Sequence, residues 1–402
     1  MIHASYYQPK VFPFKGTATP TEIDRLQDMT SSATLNRTKI EEIGRDGIVD
    51  WRKGIPATSL SLRQLEYGSI EFWNQLANVP VDQTKTYFTE FKNSQVDIAG
   101  YETDDDGNFL STIWYPNSKV SGFGLSIGDP EALIERSFTL VGEDEITLQD
   151  NNKYFIYKTD NPTTGLDSTI TLSVDPTVVA DPDNSGSYLF KVIRVRGNTT
   201  TELTHGTDWS CDGTTLYING QSYATDTIKY YYSATTYTAG ESPFVDNNTD
   251  LAGITADAVT IYLVDSSHYL YRLQSVAMDT TLDRFDVKEI GNENVVARGA
   301  RDITNSITLG RILDTWSIEE VLRGVPGLDF GKLDIRKFND ELTLLVKIYS
   351  DETKSTFKIG YVYTGLAPTT LDGGVPLNDY VTRGVTLEGE SGFVSNVEAN
   401  IA

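Results

Sequence analysis

Residues 26–62 reappear at residues 273–309 without a gap, and this self-similarity constrains the fold more than any other feature of the chain. Identical pairs include Leu26/Leu273, Gln27/Gln274, Thr34/Thr281, Leu35/Leu282, Arg37/Arg284, Gly44/Gly291, Ser59/Ser306 and Leu62/Leu309, all 247 positions apart. A second block keeps the same spacing. RSFTLVGE at 136–143 matches RGVTLEGE at 383–390, with Arg136/Arg383, Thr139/Thr386, Leu140/Leu387 and Glu143/Glu390 identical. Between the blocks, Ser69-Ile70-Glu71 matches Ser317-Ile318-Glu319 with one extra residue. Two distant blocks in one register imply a duplicated unit. The repeat divides the 402 residues into a first copy at 1–146, a middle segment at 147–247 without a counterpart, and a second copy at 248–402.

Within each copy the apolar period is two. Ile303, Ile307 and Leu309 fall on one face, and Asp302, Thr304, Ser306 and Thr308 on the other, the pattern of a half-buried strand. The first copy agrees: Leu60 and Leu62 oppose Ala57, Ser59 and Ser61. Polar, Gly-containing turns at 44–47 and 291–294 precede these strands, so each is joined to the run before it by a hairpin or a longer loop. Helical spacing follows near 68–77, with Ile70, Trp73 and Leu76, and near 316–322, with Ser317 as N-cap. Further strands are expected at 108–115 and 119–127, and at 341–349 and 355–363. The middle segment carries five strand-like runs (154–158, 169–174, 188–196, 215–220 and 227–234) separated by turn clusters. The expected fold is mainly β: two copies of a β-sandwich or partial barrel, each with one short helix, around an immunoglobulin-like β-sandwich insertion.

Composition excludes several roles. The chain has 33 basic and 57 acidic residues, a net charge of −24, so it lacks the basic footprint that grips phosphate backbones. Cys211 is the single cysteine, so no intrachain disulfide forms. The start shows no basic segment leading into an apolar run, and no stretch approaches 18 apolar residues. No membrane partner is expected, and the chain is expected to fold in a cytoplasm. Asp104-Asp105-Asp106-Gly107-Asn108 could offer carboxylates to calcium but is read as a hairpin turn. Asp181–Gly186 resembles the opening of an EF-hand loop, yet Val192 stands where the bidentate acid belongs, so it too is read as a turn. His3, His205 and His268 are scattered, and no HExxH, CxxC or GxSxG motif occurs. No catalytic residue, metal ligand or cofactor site is expected, and the chain is not expected to be an enzyme.

KIEEIGRDGIVDWRKGIPATSLSLRQLEYGSIEFWNQLAN (39–78), with its looser counterpart DVKEIGNENVVARGARDITNSITLGRILDTWSIEEVLRG (286–324), resembles the core of bacteriophage tail tube proteins. In that family a strand ends in a long hairpin, a second strand returns, and a short helix packs beside the sheet. Some siphophage tube proteins fuse two such domains and carry an immunoglobulin-like module. The resemblance implies a structural virion protein whose rings stack into the tail tube, a conduit for DNA ejection. Two fused domains imply homotrimeric, pseudo-hexameric rings. The implied partners are other copies of the chain, other tail proteins at the tube ends, and genomic DNA that passes without specific binding. The implied place is the virion tail, assembled in the host cytoplasm. Under this reading the hairpin tips Arg45, Asp46, Asn292, Glu293 and Asn294 touch the adjacent ring. The small polar face of Ala57, Ser59, Ser61, Asp302, Thr304, Ser306 and Thr308 lines the lumen, where it makes no strong pairs with phosphate. The competing expectations are another tail component with the tube fold, such as a distal tail or neck protein; a glycan-binding adhesin; and a glycan-degrading enzyme.

Overall fold

The alternating runs become ladders of a mainly β protein in a computed structural model. It describes residues 6–13, 20–40, 50–53, 56–106, 108–129, 131–149, 154–172, 189–197, 199–234, 252–263, 268–269, 273–287, 297–312, 322, 338, 341–374 and 382–401. First come β1 (Tyr6–Pro13), β2 (Thr21–Glu22), β3 (Leu26–Thr34), β4 (Arg37–Ile40), β5 (Asp50–Lys53), β6 (Ala57–Leu65) and helix α1 (Glu71–Ala77). Then follow β7 (Lys85–Tyr87), a 3-10 helix (Phe88–Asn93), β8 (Val96–Thr103), β9 (Phe109–Ile127), β10 (Glu135–Gly142) and β11 (Ile146–Gln149). The middle segment holds β12 (Tyr154–Asp160), β13 (Gly165–Thr171), β14 (Leu189–Arg196), β15 (Thr199–Leu203), β16 (Trp209–Asp212), β17 (Thr215–Ser222) and β18 (Asp226–Ala234). The last part holds β19 (Val259–Leu263), β20 (His268–Tyr269), β21 (Leu273–Val287), β22 (Ala297–Ile312), β23 (Leu342–Tyr349), β24 (Phe357–Gly374), β25 (Thr382–Gly389) and β26 (Ser391–Ser395).

The pairing registers repeat with the sequence. Met29 lies opposite Leu62 in β3–β6, and Val276 opposite Leu309 in β21–β22, each partner displaced by 247. Leu60 opposes Leu140 as Ile307 opposes Leu387, again 247 apart. Even the irregularities recur. Ser121 is skipped in the β9–β10 ladder, and Thr369 in β24–β25. A second bulge carries Asn117 at φ 50° in β9 and Gly365 at φ 65° in β24. Bulges re-aim a strand without ending it. That explains a difference from the sequence expectation: 108–115 and 119–127 are one 19-residue strand, not two. Pro116 and Asn117, which lie between the two expected runs, sit in the bulge, where proline forfeits no ladder hydrogen bond.

One hydrophobic core runs through both copies, from Val11, Leu60 and Phe138 to Ile307, Val346 and Leu387. α1 closes it, with Phe72, Trp73 and Leu76 buried. Trp73 meets Phe138 and Phe123 of the first copy and Tyr361 of the second edge-on, at 4.9, 5.2 and 5.7 Å. The helix expected near 316–322 lies outside the described residues except for Leu322, which is buried. Middle strands β12-β18-β14-β15 and β13-β17-β16 form two sheets around a core of their own, including Val192, Trp209, Leu216 and Tyr230.

Candidate functional site: a continuous sheet and its two edges

Eight strands from both copies join into one antiparallel sheet, in the order β3-β6-β10-β9-β21-β22-β25-β24. The joint is β9–β21, where Val276 opposes Ile127 and Thr281 opposes Gly122. Directly opposed residues share a face. A wet row therefore runs Ser61, Thr139, Gly122, Thr281, Thr304, and a parallel row runs Arg63, Ser137, Gly124, Asp279, Ser306, Glu388. The dry face holds Leu62, Phe138, Met278, Ile307 and Leu387, all buried. Ala57, Asp302, Thr304 and Thr308 are exposed, as is Ser61, while Ser59 and Ser306 are half-covered. The sequence-derived polar residues thus gather on one face of one sheet. Arg45, Asp46, Asn292, Glu293 and Asn294 lie outside the described residues.

The joint is reinforced by the arm of an expected hairpin, whose contact with the first copy the sequence did not indicate. The β21–β22 hairpin extends past the sheet, and its Arg284 guanidinium donates to the carbonyls of Phe91, Lys92 and Val120 at 2.6–2.8 Å and to Ser94 Oγ at 3.0 Å. Burial, and secondarily the charge of Arg298, lower its pKa to about 10. Arg298 pairs with Asp286 at 2.5 Å and donates to the Gly142 carbonyl at 3.0 Å. Leu282 beside them is buried. In the first copy the corresponding arm is β4–β5, in the same register, since Arg37 opposes Lys53 as Arg284 opposes Ala300. There Leu35, the counterpart of Leu282, is 64% exposed, and β4 is exposed throughout. The available signal was the identity of Leu35/Leu282 and Arg37/Arg284; its meaning required the joint.

Two further polar clusters tie units together. Arg136, fully buried, reaches Glu66 at 3.3 Å and Gln64 Oε1 at 2.8 Å, while the Tyr361 hydroxyl donates to Glu66 at 2.5 Å from the second copy. Lys191 of the middle segment meets Asp97 at 3.1 Å and Asn117 Oδ1 at 2.6 Å. The Asp104–Asn108 run is the β8–β9 hairpin loop, in which the Asp104 carboxylate accepts from the backbone N–H groups of Asp106 and Asn108 and from the Asn108 side chain. Those bonds, the Asn108 side chain's first, hold the Asp104 carboxyl below its ordinary range. Asp181–Gly186 lies outside the described residues.

No protein-family model and no curated protein matches the chain. Among solved structures, it is similar over 37% of its length to a chain of the anti-feeding prophage baseplate, at 13% identity and a TM-score of 0.28, covering 96% of that chain. It is similar over 40% of its length to the tube-terminating cap of the same particle, at 10% identity and a TM-score of 0.28, covering all of that chain. Superpositions this loose leave the function to be judged from the sheet and its edges.

Proposed function

We propose that this chain is a non-enzymatic structural protein of a phage tail that polymerises as stacked rings into a tail tube. In this reading residues 1–146 and 248–402 are two tube units, and 147–247 is an immunoglobulin-like module between them. Three chains supply six units per ring. The wet sheet face lines the conduit, and DNA passes along its small hydroxyls and carboxylates without being held. The carrying observation is the eight-stranded sheet, dry on one face and wet on the other, that crosses from one copy to the other in a repeated register. A sheet that one chain builds from two equivalent units is suited to continue through further units. A virion-tail location and partners at the tube ends follow from the same reading.

Negative-stain microscopy of the purified protein tests it. Uniform hollow rods are expected. Single rings that never stack would favour a distal tail or neck component with the same fold. Monomers at every concentration would defeat the proposal and return the adhesin and enzyme readings to the front. The lumen assignment has its own test. Changing Ser59, Ser61, Ser306 and Thr308 together to lysine is expected to leave assembly intact but stall DNA ejection. Ejection at the normal rate would remove that face from the channel.

A further inference from the structure

The joint between the two copies uses one edge of each, and one edge of each is left over. In the first copy β3 pairs with β6 alone among the described residues. In the second, residues 367–374 of β24 pair with β25 on one side and have no described partner on the other. An edge strand presents a row of unpaired N–H and C=O groups that templates pairing with another chain. The β3 edge is the counterpart of the β21 edge that is used inside the chain, and β24 is the counterpart of β9. We infer that β3 and the β4–β5 arm of one chain dock onto β24 of a second copy of this chain, reproducing the β9–β21 joint between molecules. This rests on the ring reading above and names the contact that would build the ring.

The register follows from the repeat. Asp279 opposite Gly124 becomes Ser32 opposite Asp372, Thr280 opposite Phe123 becomes Ala33 opposite Leu371, and Ala277 opposite Ser126 becomes Thr30 opposite Gly374. The side chains are complementary. Inside the chain, a β-carbon on Gly124 would come within 2.6 Å of the Asp279 carboxylate, so that acid requires a residue without a side chain opposite it. Between chains the acid has moved to the other strand, as Asp372, and faces Ser32. No acid meets an acid at either joint.

The arm gives independent support. Leu282 and Arg284 are satisfied by the first copy within one molecule. Their counterparts Leu35 and Arg37 stand exposed on the free side of the first copy, where Ile40 and Trp51 are also exposed, at 41% and 46%. The Val120 carbonyl that receives Arg284 corresponds to the Pro368 carbonyl, so Arg37 is assigned to Pro368 of the neighbouring chain. Head-to-tail contacts of this kind close into rings when their rotation closes.

Disulfide trapping tests the contact. In a Cys211→Ser background, Ser32→Cys and Asp372→Cys are introduced together. Directly opposed strand residues lie about 4.5–5.5 Å apart at Cα, within disulfide reach. Within one chain the two positions sit at opposite ends of the eight-stranded order. Oxidation under assembling conditions is expected to give a head-to-tail ladder on non-reducing gels that ends at the ring size. Ser32→Cys with Gly374→Cys, two positions out of register, is expected to give at least tenfold less. Leu35→Asp and Arg37→Ala are each expected to raise the concentration needed for assembly at least tenfold. Their circular dichroism and thermal midpoint should stay unchanged, because both side chains are exposed in the single chain. Rods or rings that form without the Ser32–Asp372 bond, or that form normally in both arm variants, would overturn this inference while sparing the tube reading. A wild-type chain that neither assembles nor cross-links would overturn both.

Discussion

Arg136 is a fully buried charged residue, kept ionised by what surrounds it. Burial works against its charge, but Glu66 and the phenols of Tyr67 and Tyr361 carry its pKa above the ordinary arginine value. The same enclosure, and then the Glu66 carboxylate, push the Tyr361 hydroxyl well above its usual range. Removing one partner of a buried pair strands the other, at a cost of about 3–5 kcal/mol. Arg136→Leu should therefore destabilise the chain by that order in urea denaturation, and Arg136→Leu with Glu66→Gln should recover part of the loss. No recovery in the double variant would mean that packing, not charge, sets the cost. Lys229 in the middle sandwich is also buried, and burial lowers its pKa from 10.5 to about 8. Its folded value lies below its unfolded value, so the unfolded chain binds more protons between these two pH values. Stability then rises with pH across that window, by about 3 kcal/mol for a shift of this size. The difference in unfolding free energy between wild type and Lys229→Met should change by that amount between pH 8 and 10.5 and be flat from pH 6 to 7.

At the level of strands, the bulges show what the repeat preserves. Asn117 and Gly365 both adopt the left-handed conformation, which most side chains resist. Asparagine tolerates it, and at 117 it also donates to Glu143 at 3.0 Å. Gly365→Asn should thus be nearly neutral, while Gly365→Val should cost about 1–3 kcal/mol by thermal denaturation. Equal stability of the two variants would show that the strand re-registers instead of holding its bulge. Strand β8 makes a related point. Its near-continuous burial arises because both faces are covered, Val96 and Ile98 by the shared core and Ala99 and Tyr101 by the middle sandwich. The counterpart strand β23 turns Leu345 toward Val362 and Ile401, so a C-terminal 3-10 helix (Glu398–Ile401) covers there what the sandwich covers in the first copy.

Across the whole chain, the middle segment is docked, not tethered. Phe155, Ile193 and Tyr231 pack on Phe12, Tyr101 and Trp114, with Phe155 5.3 Å from both Phe12 and Trp114, and the Lys191–Asp97 pair lies beside them. Deleting residues 150–245 would expose that aromatic patch together with the Asp97 carboxylate. The deleted chain should aggregate or bind a hydrophobic dye, and replacing Phe12 and Trp114 with serine in it should reduce both. A deletion chain as soluble as wild type would show that the patch is covered in some other way.

The duplication, the strand alternation, the wet and dry faces and the turn at Asp104 were legible in the sequence because each depends on local periodicity or on residue identity at a fixed spacing. The strands β15 and β16 were missed because they are short, with 5 and 4 residues, too few for a period to show. The gap expected between residues 115 and 119 is no break, because Pro116 and Asn117 sit in a bulge inside one long strand. What no periodicity could specify was how the copies meet. Leu35 and Leu282, or Arg37 and Arg284, are the same residues in the same local sequence, yet one of each pair is exposed and the other is enclosed or hydrogen-bonded. That difference comes from the β9–β21 pairing, a contact between strands about 150 residues apart, and only the tertiary structure decides it because side-chain environment depends on which edge a neighbour occupies.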